Sequence, residues 1–299
     1  MINSDNIGKY CKVISRMSYS QIFYRIMRVY KQKFLYKYFG KAIYPYKVIE
    51  NRMDLYCRFL RDAEEYLLPF DFEEEHIESV IRNANLTLNN RFSFLNSDPI
   101  HLGDPIDFNA EKVSDKLWKY YLHYFEYLIE LMEAYLYTRE DKYLNGMVKI
   151  INQWIDNTKP GDSNSWEAYP ISIRLIIWSS VWELLLSISY SDEKFLTKLL
   201  ASIKQQTNFL FNNLELDLAN NHYTANGKAL FWMGVTFPIF KESKKWLEKG
   251  KEILHKQLKK EVCSDGSQYE NSTSYQLLTL LDYLEVLVLA KKNNIPLHD

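Results

Sequence analysis

Helix breakers are scarce in this chain: nine glycines and eight prolines punctuate 299 residues. Between them apolar side chains recur every three or four positions, the repeat of an amphipathic helix, and the two-residue alternation of a strand is almost missing. Helices are therefore expected at 17–37, 52–66, 72–84, 115–138, 141–157, 170–189, 193–213, 222–237, 242–260 and 274–294. Short connections between them favour antiparallel neighbours, which can assemble as a bundle, a solenoid or a ring. Periodicity alone leaves those three open.

Two segments interrupt the helical rhythm. Residues 86–114 mix aromatics with Pro, Gly and Asp, and irregular stretches of this length in compact domains are functional or disordered. The aromatic content argues for order. The second, Thr158 to Tyr169, carries Pro160-Gly161 turn chemistry and then Trp166 and Glu167 just ahead of Pro170, a residue suited to a helix start.

Composition bounds the partners. Hydrophobic residues make up 47% and aromatics 15%, ample for a core, and the formal net charge is −1. That balance offers no general attraction for nucleic acid, and neither nucleic acid nor a membrane is expected as a partner. Cys11, Cys57 and Cys263 are too widely spaced for a zinc motif or a disulfide framework, so no metal or cofactor is expected. The N-terminal segment lacks a continuous apolar run of signal-peptide or membrane-span type, which sets a cytoplasmic expectation. An amphipathic helical segment is expected over 1–48, ahead of a second unit over 49–299. Arg25, Arg28, Lys31 and Lys33 beside Phe23, Tyr24 and Tyr30 keep a membrane-surface reading open for that helix.

Chemistry-bearing side chains gather where helices should begin. Asn220, Asn221 and His222 open an apolar helix, and an asparagine there can simply cap it. Asp265 to Gln276 is polar, turn-rich and leads into another helix. Trp166 to Arg174 forms a third such start, and positive helix ends suit an anionic ligand. Trp118, Tyr120, Tyr121, His123, Tyr124 and Phe125 crowd one helix, where core packing competes with stacking on sugar rings.

Four of these segments, Trp118 to Phe125, Trp166 to Arg174, Asn221 to Leu230 and Asp265 to Tyr275, match in order and spacing a pattern that resembles the heparinase II/III-like polysaccharide lyases. The likeness spans roughly residues 90–290 and is strongest to members found among surface-polysaccharide genes. It implies an all-α fold, an incomplete (α/α) toroid of antiparallel helical hairpins over 49–299, without the family's C-terminal β-sandwich. It also implies an anionic, uronate-containing polysaccharide as substrate, cleaved by β-elimination, with a β-sandwich domain from a longer parent chain or a partner needed for full activity.

By that resemblance Asn221 neutralises the uronate carboxylate, Tyr275 protonates the leaving oxygen, and His222 assists. Trp118, Tyr121, His123, Trp166, Glu167, Arg174 and Glu270 are the expected substrate-binding or site-shaping groups, with an Arg174-to-glutamate ion pair as the alternative. Gln268 and Gln276 stand where many relatives carry histidines, which weakens any proton relay through them. A non-catalytic glycan-binding module and an inverting glycosidase using Glu167, Asp265 and Glu270 are the competing functions; the latter needs two carboxylates about 6.5–9.5 Å apart.

Overall fold

The computed structural model describes residues 17–46, 74–218 and 220–297. Its first helix, α1 (Tyr19–Tyr30), runs through a π-helical stretch (Lys31–Tyr36) into α2 (Lys37–Ile43). Then come α3 (Glu74–Leu88), a two-stranded hairpin β1 (Arg91–Phe92) and β2 (Ile100–His101), α4 (Lys116–Tyr124), α5 (Tyr127–Thr138) and α6 (Asp141–Asn157). The remainder is α7 (Ala168–Ser187), α8 (Glu193–Phe211), α9 (Asn221–Thr236), α10 (Ser243–Glu261) and α11 (Thr273–Lys292). The expected helix at 52–66 lies outside the described residues.

The hairpins α5/α6, α7/α8 and α9/α10 stand side by side. In one layer α5, α7, α9 and α11 are lateral neighbours; α6, α8 and α10 return on the other side, giving the arc of an α/α toroid. Helices α7, α9 and α11 of the first layer run in the same direction. Tyr169 stacks on His222 near the starts of α7 and α9, and one turn on Asn226 Nδ2 donates to Ser172 Oγ at 3.1 Å. Lys228 Nζ donates to Asp282 Oδ1 at 2.7 Å between α9 and α11, and farther along Phe231, Val235, Val286 and Ala290 share one apolar cluster. The starts of α7, α9 and α11 therefore lie on one rim.

Packing explains this order. Trp154, Trp166, Trp178, Trp182 and Trp246 are fully buried, each contributing about 1.5–3 kcal/mol by its removal from water. Helix α7 is apolar on nearly all sides because it is covered from both flanks and from behind; its composition would also suit a bilayer, yet 67% of its apolar window is buried within the protein. Gly227 on α9 and Gly250 on α10 let those helices approach closely: a Cβ on Gly250 would stand 2.7 Å from Phe231 Cα.

The sequence predicts one helix over 115–138, whereas the chain breaks at Phe125, whose φ of 68° is left-handed. That conformation is costly for a bulky residue. Full burial offsets it, with the Phe125 ring edge-on to Trp154 and Trp178 at 6.0 and 5.3 Å, and Tyr127 Oη donates to the Leu122 carbonyl near the break. Residues 86–114 are ordered, as their aromatics imply, and bury Phe92, Leu102, Ile106 and Phe108. On α11 one face packs through Val286 and Ala290, while Leu277, Leu280, Leu281, Leu284 and Leu287 are 45–57% exposed.

Candidate functional site at the shared helix rim

Asn220, not Asn221, caps α9: its side chain accepts from the His222 backbone amide at 3.2 Å. This leaves Asn221 as the half-buried first helical residue, its amide free of the capping task. His222 lies against Tyr169, ring centroids 4.2 Å apart and planes 30° from parallel. Its Nδ1 is 3.2 Å from Glu215 Oε1.

Glu215 is buried in the loop before α9 and thoroughly partnered. Its backbone amide donates to Asn226 Oδ1 at 2.9 Å, and Asn226 Nδ2 donates back to Glu215 Oε2 at 3.2 Å. Arg28 from α1 approaches Glu215 at 3.7 Å and binds Asp217 Oδ2 at 2.6 Å, where Arg25 Nε also donates at 3.3 Å. Helix α1 thus lies along the 212–217 loop, with Lys31 donating to the Asn212 carbonyl and Tyr36 to Asn213 Oδ1.

From His222 a row of rings continues across the rim. Tyr169 meets Tyr124 edge-on at 5.8 Å, Tyr124 meets Tyr121 at 5.0 Å, and Tyr121 meets Phe94 at 5.9 Å. Beyond it opens a cavity of about 470 Å³ lined by Tyr121, Phe94, Arg91, Glu126 and Glu130 among others. Burial raises the phenol pKa of Tyr124 and Tyr169, keeping both neutral. Tyr120 donates to Glu167 Oε2 at 2.6 Å, and Lys116 lies 3.6 Å from the same carboxylate.

Tyr275 stands in the first turn of α11, 37% exposed, with Ser272 capping the helix. It is seven residues before Asp282, as Asn221 is seven before Lys228, so the Lys228–Asp282 pair puts Asn221 and Tyr275 at the same level of adjacent helices. Glu270 is exposed nearby; its backbone amide donates to Gln268 Oε1. Gln276 Oε1 accepts from the Gln268 amide at 2.6 Å and its Nε2 donates to the Gly266 carbonyl, so both glutamines tie down the turn. Asp265 is likewise occupied, accepting from the Ser267 amide and hydroxyl, which lowers its carboxyl pKa and disfavours a general-acid role.

Four side chains expected to touch substrate are instead buried, a correction to the sequence reading. Trp118 packs on Phe94 and donates to Ser97; Trp166 donates to Thr158 and stacks on Trp154. His123 accepts from Trp154 Nε1 at Nδ1, and burial together with the Arg174 charge pushes its pKa down to about 3. Arg174 spends its donors on Gln206 Oε1 and the His123 and Ser165 carbonyls at 2.7–2.9 Å, over the face of Trp154. It therefore forms no glutamate ion pair either, the alternative that the sequence left open. Tyr121, Glu167 and Glu270 keep solvent-accessible surface. Sequence reasoning missed Glu215, Asp217 and the site-side placement of Arg28. Nothing marks Glu215 in sequence, whereas Asn226, which holds it, sits within a quoted motif.

An arc of paired helices with aromatic and amide side chains at one rim defines the class: a helical toroid with its candidate ligand groove at the helix starts. A family model described as Heparinase II/III N-terminus matches residues 30–297. The chain belongs to the heparinase II/III family through this N-terminal domain. A heparin-sulfate lyase of Bacteroides thetaiotaomicron is 25% identical over 194 residues, 63% of this chain and 27% of that protein. That of Pedobacter heparinus is 25% identical over 198 residues, 64% and 30% of the two chains. The solved structure of heparinase III shares the fold at a TM-score of 0.68 and 22% identity, covering 89% of this chain and 41% of that one. A Pedobacter heparinus heparan sulfate lyase does so at 0.65 and 22%, covering 86% and 40%. The chain thus spans less than half the length of these relatives.

Proposed function

We propose that this chain is the substrate-recognising helical half of a polysaccharide lyase acting by β-elimination on a uronate-containing glycan. The observation that carries the reading is the common level of Asn221, His222 and Tyr275 on adjacent, co-directional helices. In this mechanism the Asn221 amide binds the uronate carboxylate and stabilises the charge that spreads into it when C5 loses its proton. A base takes that proton, the C5 electron pair forms the C4–C5 double bond, and the C4–O bond breaks. Tyr275 donates its phenolic proton to the departing oxygen. The base is assigned to the additional domain that the longer relatives carry. Tyr121 and Phe94, which keep exposed surface at the end of that row, offer ring faces for neighbouring sugars.

The test follows ultraviolet absorbance of the unsaturated product on uronate polysaccharides, using the chain joined to a relative's β-domain. Turnover that falls about 100-fold or more in Asn221→Ala is expected, the usual cost of one transition-state hydrogen-bond donor. No product from the joined protein on any uronate glycan sinks the lyase reading. A binding-only role is favoured by Gln268 and Gln276, whose side chains are spent on the turn. Glycan binding that survives Tyr275→Phe combined with Asn221→Ala, without turnover, would establish it.

A further inference from the structure

Helix α1 precedes every segment that carries the family pattern, yet its two arginines end on the loop that holds His222. We infer that Glu215, charge-balanced by Arg28 and oriented by Asn226, is the positioning residue for His222, which makes α1 a working part of the site. The inference rests on the lyase reading only for its consequence, not for its geometry.

Hydrogen-bond accounting fixes the tautomer. Asn226 Oδ1 accepts from the Glu215 amide, so Asn226 Nδ2 is the group facing Ser172 Oγ and Glu215 Oε2. Glu215 is thereby an acceptor on one oxygen, with Arg28 3.7 Å from the other. A carboxylate accepts only, so the contact at 3.2 Å requires a proton on His222 Nδ1. In the neutral ring Nε2 then carries the lone pair, on the side away from Glu215. The stack on Tyr169 fixes the ring plane, and the Glu215 bond fixes its rotation within that plane.

Charge is arranged to match. Arg25 and Arg28 face Glu215 and Asp217, two cations against two anions. Asp282 on α11, itself paired with Lys228, also acts on the neighbouring Tyr169, as do Glu126 and Glu215. Removing the Arg28 side chain takes away the contacts to Glu215 and Asp217 that hold this loop against α1, and with them the fixed place of Glu215 beside His222.

The experiment is ¹⁵N–¹H NMR of the histidine side chains, with the His222 signals identified by their loss in His222→Phe. In the unaltered chain the neutral ring should show the Nδ1–H pattern. In Glu215→Gln the new amide donates to Nδ1, and the pattern should switch to Nε2–H. Arg28→Met, which frees the 212–217 loop from α1, should give mixed Nδ1–H and Nε2–H signals, and Arg28→Lys should restore the single pattern. An Nε2–H ring in the unaltered chain overturns the inference without any variant, as does a Glu215→Gln protein with unchanged tautomer or an Arg28→Met protein that keeps a single Nδ1–H pattern. These spectra need no glycan, so they stand or fall separately from elimination. If the tautomer is as inferred and the joined protein still forms no unsaturated product, the lyase reading alone fails.

Discussion

Arg174 is buried with all three guanidinium nitrogens hydrogen-bonded, and its removal should be felt as instability rather than as weaker ligand contact. Arg174→Met fills much of the volume but orphans Gln206 and two carbonyls, each costing about 1–3 kcal/mol when left unsatisfied. A loss of about 3–5 kcal/mol in urea unfolding is expected, with glycan affinity of the folded protein unchanged; weaker binding at undiminished stability would return Arg174 to the ligand side. His123 carries a pH signature. Its folded-state pKa of about 3 lies below the unfolded value, so folding favours the neutral ring. That contribution is fully present above about pH 6.5 and is lost as pH falls toward 3, at about 1.4 kcal/mol per pH unit. Glu183, pushed up to about 7 by burial, acts with opposite sign, losing its contribution as pH rises from about 4.5 through 7. The His123 share is therefore read as the difference between the unaltered chain and His123→Gln, which still accepts from Trp154. That difference should shrink steadily from pH 6 to pH 4.

Helices show which layer of structure sequence can disclose. Periodicity located the ring's helices because each buries a stripe, and polar motifs marked the starts of α7, α9 and α11. The break at Phe125 stayed hidden because its left-handed residue is an aromatic held by tertiary contacts, with no glycine or asparagine to announce it. Burial of Trp118, His123, Trp166 and Arg174 was hidden for a related reason: a motif records which residues stand together, not which face they turn. The α9/α10 contact makes a sharp test at this level. Gly250→Ala gains about 1 kcal/mol of helix propensity but forces a methyl group to 2.7 Å from Phe231 Cα and 2.8 Å from the Gly227 carbonyl. A net loss of about 2 kcal/mol is expected from overpacking, measured by chemical unfolding. A stabilised variant would show that the helices can slide apart freely.

Across the whole molecule, the candidate groove is assembled from neighbours far apart in sequence: α1 with the 212–217 loop, α4 with α7, α7 with α9, α9 with α11. Net charge of −1 gives such a protein no general pull on a polyanion, so the proposed glycan binding has to draw its affinity from the rim itself. Rim residues are not equally well secured, however. Helix α9 is enclosed by α7, α10 and α11, while α11 leaves a face of leucines 45–57% exposed. Backbone amides open to solvent more readily where few apolar contacts must be broken. Hydrogen–deuterium exchange should therefore label the amides of α11 ahead of those of α9, and equal protection of the two would count against it. Asn221 then rides on a slow-opening segment and Tyr275 on a fast-opening one, so under the proposed mechanism the carboxylate anchor outlasts the proton donor, which comes and goes with the local breathing of its helix.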